Sequence, residues 1–321
     1  MNMLNLPALQ TASLDPALAG FLAQAAAQGN PPLETLPVPV ARQIYRDMDA
    51  ALGLPAPAIG PVTDTTFPGP AGPLGLRVYQ PKPPVAGELL PVLLFIHGGG
   101  FVIGDLDTHD KVCRTLCHQS QRLVVALDYR LAPEHPFPAA PDDAEAALRW
   151  LLAHAATLGG DANNIALAGD SAGAQLAFVA VRRVEAPQVR ALGLIYPVAQ
   201  HVDEPSASYQ ENGEGKFLTE GVMRWFISNY LGGQEAAATH PDYALLKSAD
   251  FAHLPTTWVA TMGHDPLRDE GHALALKMAQ AGVAVTHRHY PSAIHACIHF
   301  TAVSPVGLEV MTDLGQWLNP M

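Results

Sequence analysis

Gly169-Asp170-Ser171-Ala172-Gly173 sets a serine midway between two glycines. A short apolar run, Asn164–Ala168, precedes the motif, and a long Ala/Val-rich run, Ala172–Glu185, follows it. A buried strand, a tight turn and a packed helix are the setting in which G-x-S-x-G presents a nucleophile. The turn is expected to strain the Ser171 backbone. Gly169 and Gly173 are expected where a side chain would collide with the neighbouring strand or helix. The hydroxyl would then sit over a helix N-terminus, which favours negative charge.

A serine hydroxyl is a weak nucleophile until a base takes its proton, and an acid must orient that base. In this setting the chain order is serine, acid, histidine. Asp265, in Gly263-His264-Asp265-Pro266-Leu267, follows an apolar strand at Thr256–Thr261. His295, in Ser292-Ala293-Ile294-His295, follows a strand ending at Tyr290. Both stand at the C-terminal ends of strands. Asp269 competes as the acid, but is expected inside the next helix. His299 competes as the base from a helical turn. His287 and His289 alternate along a strand with polar neighbours and are expected at the surface. His295 and His299 have i, i+4 spacing but lack the Glu of a zinc His-Glu-x-x-His motif, so no metal is expected.

Acyl transfer also needs donors for a developing oxyanion. His97-Gly98-Gly99-Gly100 follows an apolar strand, and consecutive glycines let backbone N–H groups point at a ligand. A flexible turn is the plain alternative; a phosphate loop would need Gly-Lys-Ser/Thr, which is absent. The N–H groups of Gly99, Gly100 and Ala172 are the candidate donors, and His97 is expected to buttress the loop. Phe217, Trp225 and Phe226 suit an apolar pocket wall, and equally a core.

These residues need elements to position them. Leu89–Ile96, Leu123–Asp128, Asn164–Ala168, Ala191–Tyr196, Thr256–Thr261 and Val283–Tyr290 read as strands. Helical patterns at Ala139–Ala156, Ala172–Glu185 and Gly271–Ala281 lie between them. Such alternation predicts an α/β fold with a mostly parallel sheet covered on both faces. Residues 61–88 read as hairpins around Leu74–Gln80. Pro16–Gln28 and Val40–Leu52 read as helices, each ended by glycine. Residues 198–238 interrupt the alternation with an aromatic helical segment. With residues 1–55 it is expected to form a lid over the strand ends, where open α/β sheets bind ligands.

The formal net charge is -12, with no Lys/Arg cluster, which argues against a nucleic-acid partner. Cys113, Cys117 and Cys297 are odd in number and sparse, so no disulfide framework is implied and a reducing cytoplasm fits. No signal peptide is read at the N-terminus, and no apolar run is long enough for a membrane span.

His97-Gly98-Gly99-Gly100, the elbow at 169–173 and Asp265-Pro266-Leu267-Arg268-Asp269-Glu270-Gly271 resemble the bacterial hormone-sensitive-lipase-like esterases (family IV) of the α/β-hydrolase superfamily. Tyr129-Arg130-Leu131-Ala132-Pro133-Glu134-His135-Pro136-Phe137-Pro138-Ala139-Ala140 is a further match. The resemblance runs from about Leu74 to the C-terminus. It implies a serine carboxylesterase acting on short- to medium-chain esters without a cofactor, with Ser171, Asp265 and His295 as triad. It also implies an N-terminal helical cap (1–55) and, by analogy, a homodimer. Residues 198–238, read above as the second part of the lid, with an ordinary packing helix as the plain alternative, are inserted in a catalytic domain spanning 56–321. Two positions depart from the pattern: Ala296-Cys297 stands where Gly-Phe is common, and Ala174 where a further Gly is common. Plant gibberellin receptors resemble the family but lack the histidine, so a binding module is the competing class. Amide or lactone hydrolysis is the nearer alternative.

Overall fold

The computed structural model describes residues 9, 10, 12–83, 85–204 and 206–319; positions 1–8 of the N-terminal segment lie outside them. Two helices come first, α1 (Pro16–Ala27) and α2 (Val38–Leu52). Asp15 caps α1: its carboxylate accepts from the N–H groups of Ala17 and Leu18 at 2.9 and 3.0 Å, ahead of a proline at the first turn. β1 (Val62–Gly69) and β2 (Gly72–Tyr79) then form the expected antiparallel hairpin. Strands and helices alternate from there: β3 (Leu90–Ile96), α3 (Asp110–Ser120), β4 (Leu123–Asp128), α4 (Ala139–His154), β5 (Gly160–Asp170), α5 (Ala172–Val184) and β6 (Val189–Ile195). α6 (Ala207–Asn212) and α7 (Glu220–Leu231) interrupt the pattern. It resumes with β7 (Thr256–His264), α8 (Arg268–Gln280), β8 (Val285–Ile294) and α9 (Val306–Leu318).

The eight strands make one sheet in the order β1-β2-β4-β3-β5-β6-β7-β8. β1 and β2 pair antiparallel, as do β2 and β4; every other pair is parallel. β3 pairs with β4 on one side and β5 on the other, so the strand order reverses there. Ligands of open α/β sheets bind beyond the strand ends at such a reversal. Registers Ile96↔Gly169 and Asp170↔Ile195 bring the ends of β3, β5 and β6 side by side.

Val92 to Ile96 is apolar without a break because both faces of β3 are covered. Leu94, Ile96 and Leu167 join one core with Leu148 of α4 and Leu176 of α5. Leu93, Phe95, Ala166 and Ala168 join a second with Leu116 of α3 and Leu314 of α9. Each fully buried Leu, Ile or Phe contributes about 1.5–3 kcal/mol. The three cysteines are free and buried, and Cys117 Sγ donates to the Tyr79 and Arg122 carbonyls. No helix among the described residues is long and apolar enough to cross a membrane.

Candidate active site

Ser171 stands at the junction of β5 and α5 with φ 53° and ψ -119°, a conformation costly for any residue with a side chain. The surroundings hold it there. The Ser171 N–H donates to the Ile195 carbonyl at 2.8 Å, while the Gln175 N–H donates to the Ser171 carbonyl at 3.2 Å. A Cβ on Gly173 would run into the Ile96 carbonyl, and one on Gly169 into the Gly173 backbone. Both glycines are thus required by close approach.

β7 and β8 end at His264 and Ile294, so Asp265 and His295 are the first residues past the two strands. His295 Nε2 lies 3.0 Å from Ser171 Oγ, and His295 Nδ1 lies 2.8 Å from Asp265 Oδ2. Asp265 is wholly buried, and its Oδ1 accepts from the Leu267 N–H at 2.8 Å. One carboxylate oxygen is therefore left to fix the imidazole. Ser171 and His295 are 7% and 5% exposed, and both line a cavity. Asp269 lies in the first turn of α8, where its Oδ2 accepts from the Ser208 N–H at 2.9 Å. His299 is buried with both nitrogens engaged, Nδ1 to Asp49 at 3.0 Å and Nε2 to Tyr45 Oη at 3.1 Å.

The glycine loop follows β3 directly. Gly99 and Gly100 have φ of 109° and 58°, and both line the cavity beside Ser171. Ala172 opens α5, so its N–H has no acceptor within the helix. His97 Nδ1 donates to the Gly98 carbonyl at 2.7 Å, and its ring stacks on Tyr129 at 4.3 Å. Burial, then the neighbouring His109 ring, lowers His97 to about 4, which leaves it a neutral support.

Asp170, inside the elbow, binds the glycine loop. Its Oδ1 accepts from the Gly98 N–H at 2.8 Å and lies 3.2 Å from His109 Nε2. Burial pushes this carboxyl up, but His109, His299 and the Gly98 N–H together hold it at about 2. Arg130 pairs with Asp143, and Arg42 of α2 reaches Glu134 and the Val102 carbonyl. The sheet had brought Gly98 within reach of an aspartate 72 residues away.

A cavity of about 460 Å³ opens onto Ser171 and His295. Its walls are mostly apolar, and draw on the N-terminal region (Leu33, Leu36, Tyr45, Met48) and the segment after β6 (Leu218, Val222, Met223, Ile227). Phe217 and Phe226 line it; Trp225 does not, and packs against Phe226 at 5.2 Å between ring centroids. Tyr45 and Met48 had been passed over, although spacing on α2 puts them on one face. As a possible cation site, His109, Asp170 and His299 bring ligand atoms within 4.8 Å of one another. Those of His299 and Asp170 already serve Asp49, Tyr45 and Gly98.

Ala296, where the resembling family often has glycine, adopts φ 61°. That conformation costs a residue with a Cβ about 1–2 kcal/mol. Set against the looser unfolded chain of a glycine, Ala296→Gly is expected to raise stability by about 0.5–1 kcal/mol. A denaturant midpoint unchanged or lower in the variant would contradict this.

His287 is 8% exposed, not a surface residue as expected. Its ring lies 5.0 Å from that of His272 on α8, and its Nε2 bonds the Thr261 hydroxyl at 2.9 Å. Burial lowers it to about 4, against 6.5 when free. His97 shifts alike. Both are neutral in the native state, so the unfolded chain takes up more protons between those limits. Their contribution is complete above pH 6.5 and is lost as pH falls toward 4. The loss runs at up to roughly 1.4 kcal/mol per pH unit for each. Urea midpoints at pH 7 and pH 5 check it, and equal midpoints would refute it.

A hydroxyl bonded to an imidazole that a buried carboxylate orients, facing backbone N–H groups, can attack an electrophilic carbonyl. The comparisons agree with that chemistry. Residues 93–299 match the family model described as alpha/beta hydrolase fold. The chain is 38% identical over 251 residues to Esterase LipI of Mycobacterium tuberculosis, covering 77% of this chain and 78% of that one. It is 33% identical over 297 residues to an ethyl acetate hydrolase of Pseudomonas putida, covering 88% and 91%. Among solved structures, an alpha/beta hydrolase enzyme from the metagenome of Lake Arreo, Spain, superposes with a TM-score of 0.90 at 38% identity, over 96% of this chain and 98% of that one.

Proposed function

The chain belongs to the α/β-hydrolase family, among its hormone-sensitive-lipase-like esterases, and we propose that Ser171, His295 and Asp265 carry out its carboxylic ester hydrolysis. The observation that carries the assignment is the continuous bonding from Ser171 Oγ through both ring nitrogens of His295 to Asp265, at 3.0 and 2.8 Å. Ser171 Oγ attacks the ester carbonyl while His295 Nε2 takes its proton. Asp265 holds Nδ1–H and stabilises the imidazolium. The N–H groups of Gly99, Gly100 and Ala172 receive the oxyanion, each contributing about 2.7–4 kcal/mol to lowering the barrier. The intermediate collapses, His295 protonates the departing alkoxide, and the acyl group stays on Ser171. A water, deprotonated by His295, then releases the acid and restores the serine.

The acyl chain is short to medium. The cavity volume supports this, as does the name of the Pseudomonas putida relative, which hydrolyses ethyl acetate. Residues 1–55 and 198–238 are read as a two-part cap on the 56–321 body, because both line the cavity that Ser171 faces. A cytoplasmic homodimer completes the proposal; three free buried cysteines suit a reducing compartment, and sedimentation tests the pairing. The direct test is hydrolysis of p-nitrophenyl esters from acetate to palmitate. Activity should peak at short or medium chains. Folded protein with no activity at any length would move the reading to a binding relative.

A further inference from the structure

α7 touches both the substrate cavity and the glycine loop. Met223 and Ile227 line the cavity, and Phe226 sits between them. A Cβ on Gly100 would clash with Cγ and both Cδ atoms of Phe226, so that ring packs directly against the Gly100 backbone. One turn on, Tyr230 stacks on Phe101 with centroids 3.8 Å apart and planes within 10°. Phe101 has φ 65°, a conformation that its surroundings must enforce. Tyr230 is fully buried, and its hydroxyl has no hydrogen-bond partner among the described residues. The side chain is therefore held by ring packing, flat on Phe101 and edge-on to Phe137, and not through its hydroxyl. Tyr230 also does not line the cavity.

We propose that Phe226 and Tyr230 are positioning residues: from α7 they clamp Gly100 and Phe101 and hold the loop in the geometry that receives the oxyanion. The inference rests on the reading of Gly99 and Gly100 as oxyanion donors. It makes one helix serve both tasks, so the segment that shapes the substrate cavity also sets the hole.

Tyr230→Leu removes the stack without touching the cavity wall, and Tyr230→Phe keeps the ring. An oxyanion hole acts on the transition state more than on the bound ester, so the loss should fall on kcat. Tyr230→Leu is expected to lower kcat by about tenfold or more, short of the 10²–10³ lost with a donor itself. KM should stay within about twofold, and the inhibition constant of a trifluoromethyl ketone should rise in step with the fall in kcat. Tyr230→Phe should match the wild type. If Tyr230→Leu does not fold, judged by circular dichroism, Tyr230→Met, whose unbranched side chain fills an irregular space more adaptably, still loses the flat stack. Unchanged kcat in a folded Leu or Met variant would overturn the inference. So would an effect confined to KM, or an equal loss in Tyr230→Phe. Wild-type hydrolysis abolished by Ser171→Ala is the control for the underlying reading. With that control met, an unaffected Tyr230 variant refutes the clamp while Ser171 stands as the nucleophile.

Discussion

Ser171→Ala should lower kcat by about 10⁵–10⁶ while leaving the fold in place, because removing the nucleophile of a coupled triad costs nearly as much as removing all of it. The change is local. Ser171 Oγ bonds His295 Nε2 at 3.0 Å, whereas the turn itself is held through the Ser171 backbone N–H and carbonyl. Losing one hydrogen bond costs about 1 kcal/mol, so the melting temperature should move by a few degrees at most. KM, or the affinity for a product acid, should change little, because the cavity keeps its walls. A p-nitrophenyl butyrate assay with a thermal melt decides it. Turnover within about tenfold of wild type would leave the hydrolysis to another group.

Asp265→Asn should cost about 10⁴ in kcat, and the reason lies in how its two oxygens are used. Oδ1 accepts from the Leu267 N–H at 2.8 Å, and Oδ2 faces His295 Nδ1 at 2.8 Å. An asparagine has one acceptor and one donor end. Turning its NH₂ toward Leu267 would oppose two donors in a fully buried place. The oxygen therefore stays with Leu267, and the NH₂ faces His295. The imidazole then accepts at Nδ1 and carries its proton on Nε2, where it donates to Ser171 and cannot take the serine's proton. Size and packing are kept, so stability should fall far less than activity. The pH–rate profile is the check: the loss should persist at every pH between 6 and 8. Near-wild-type turnover in the variant would mean that Asp265 does not orient the base.

The meeting of Ser171, His295 and Asp265 was legible because all three stand at strand ends. Asp265 and His295 each follow an apolar run directly, and Ser171 sits between a run and a helix, so topology alone gathers them. What stayed hidden depends on contacts between elements. Nothing local to Asp170 says that Gly98 is its partner; the pairing of β3 with β5 says so. His287 misled because alternation along a strand assumes one wet face, whereas α8 covers that face of β8. On α7 the aromatic run hid a stripe. Val222, Met223, Phe226 and Ile227 share the cavity side, and Trp225 falls outside it. α9 went unmarked although Val310, Met311, Leu314 and Leu318 repeat at helical spacing and are buried.

The most direct test of the account is the site of a covalent adduct. Diethyl p-nitrophenyl phosphate delivers its phosphoryl group to an activated serine and releases p-nitrophenolate, and mass spectrometry of the digested protein locates the product. The account predicts one diethylphosphoryl group, on the peptide containing Ser171, with loss of esterase activity in proportion, and none in Ser171→Ala. An adduct on another residue, or full inactivation with Ser171 unmodified, would contradict it.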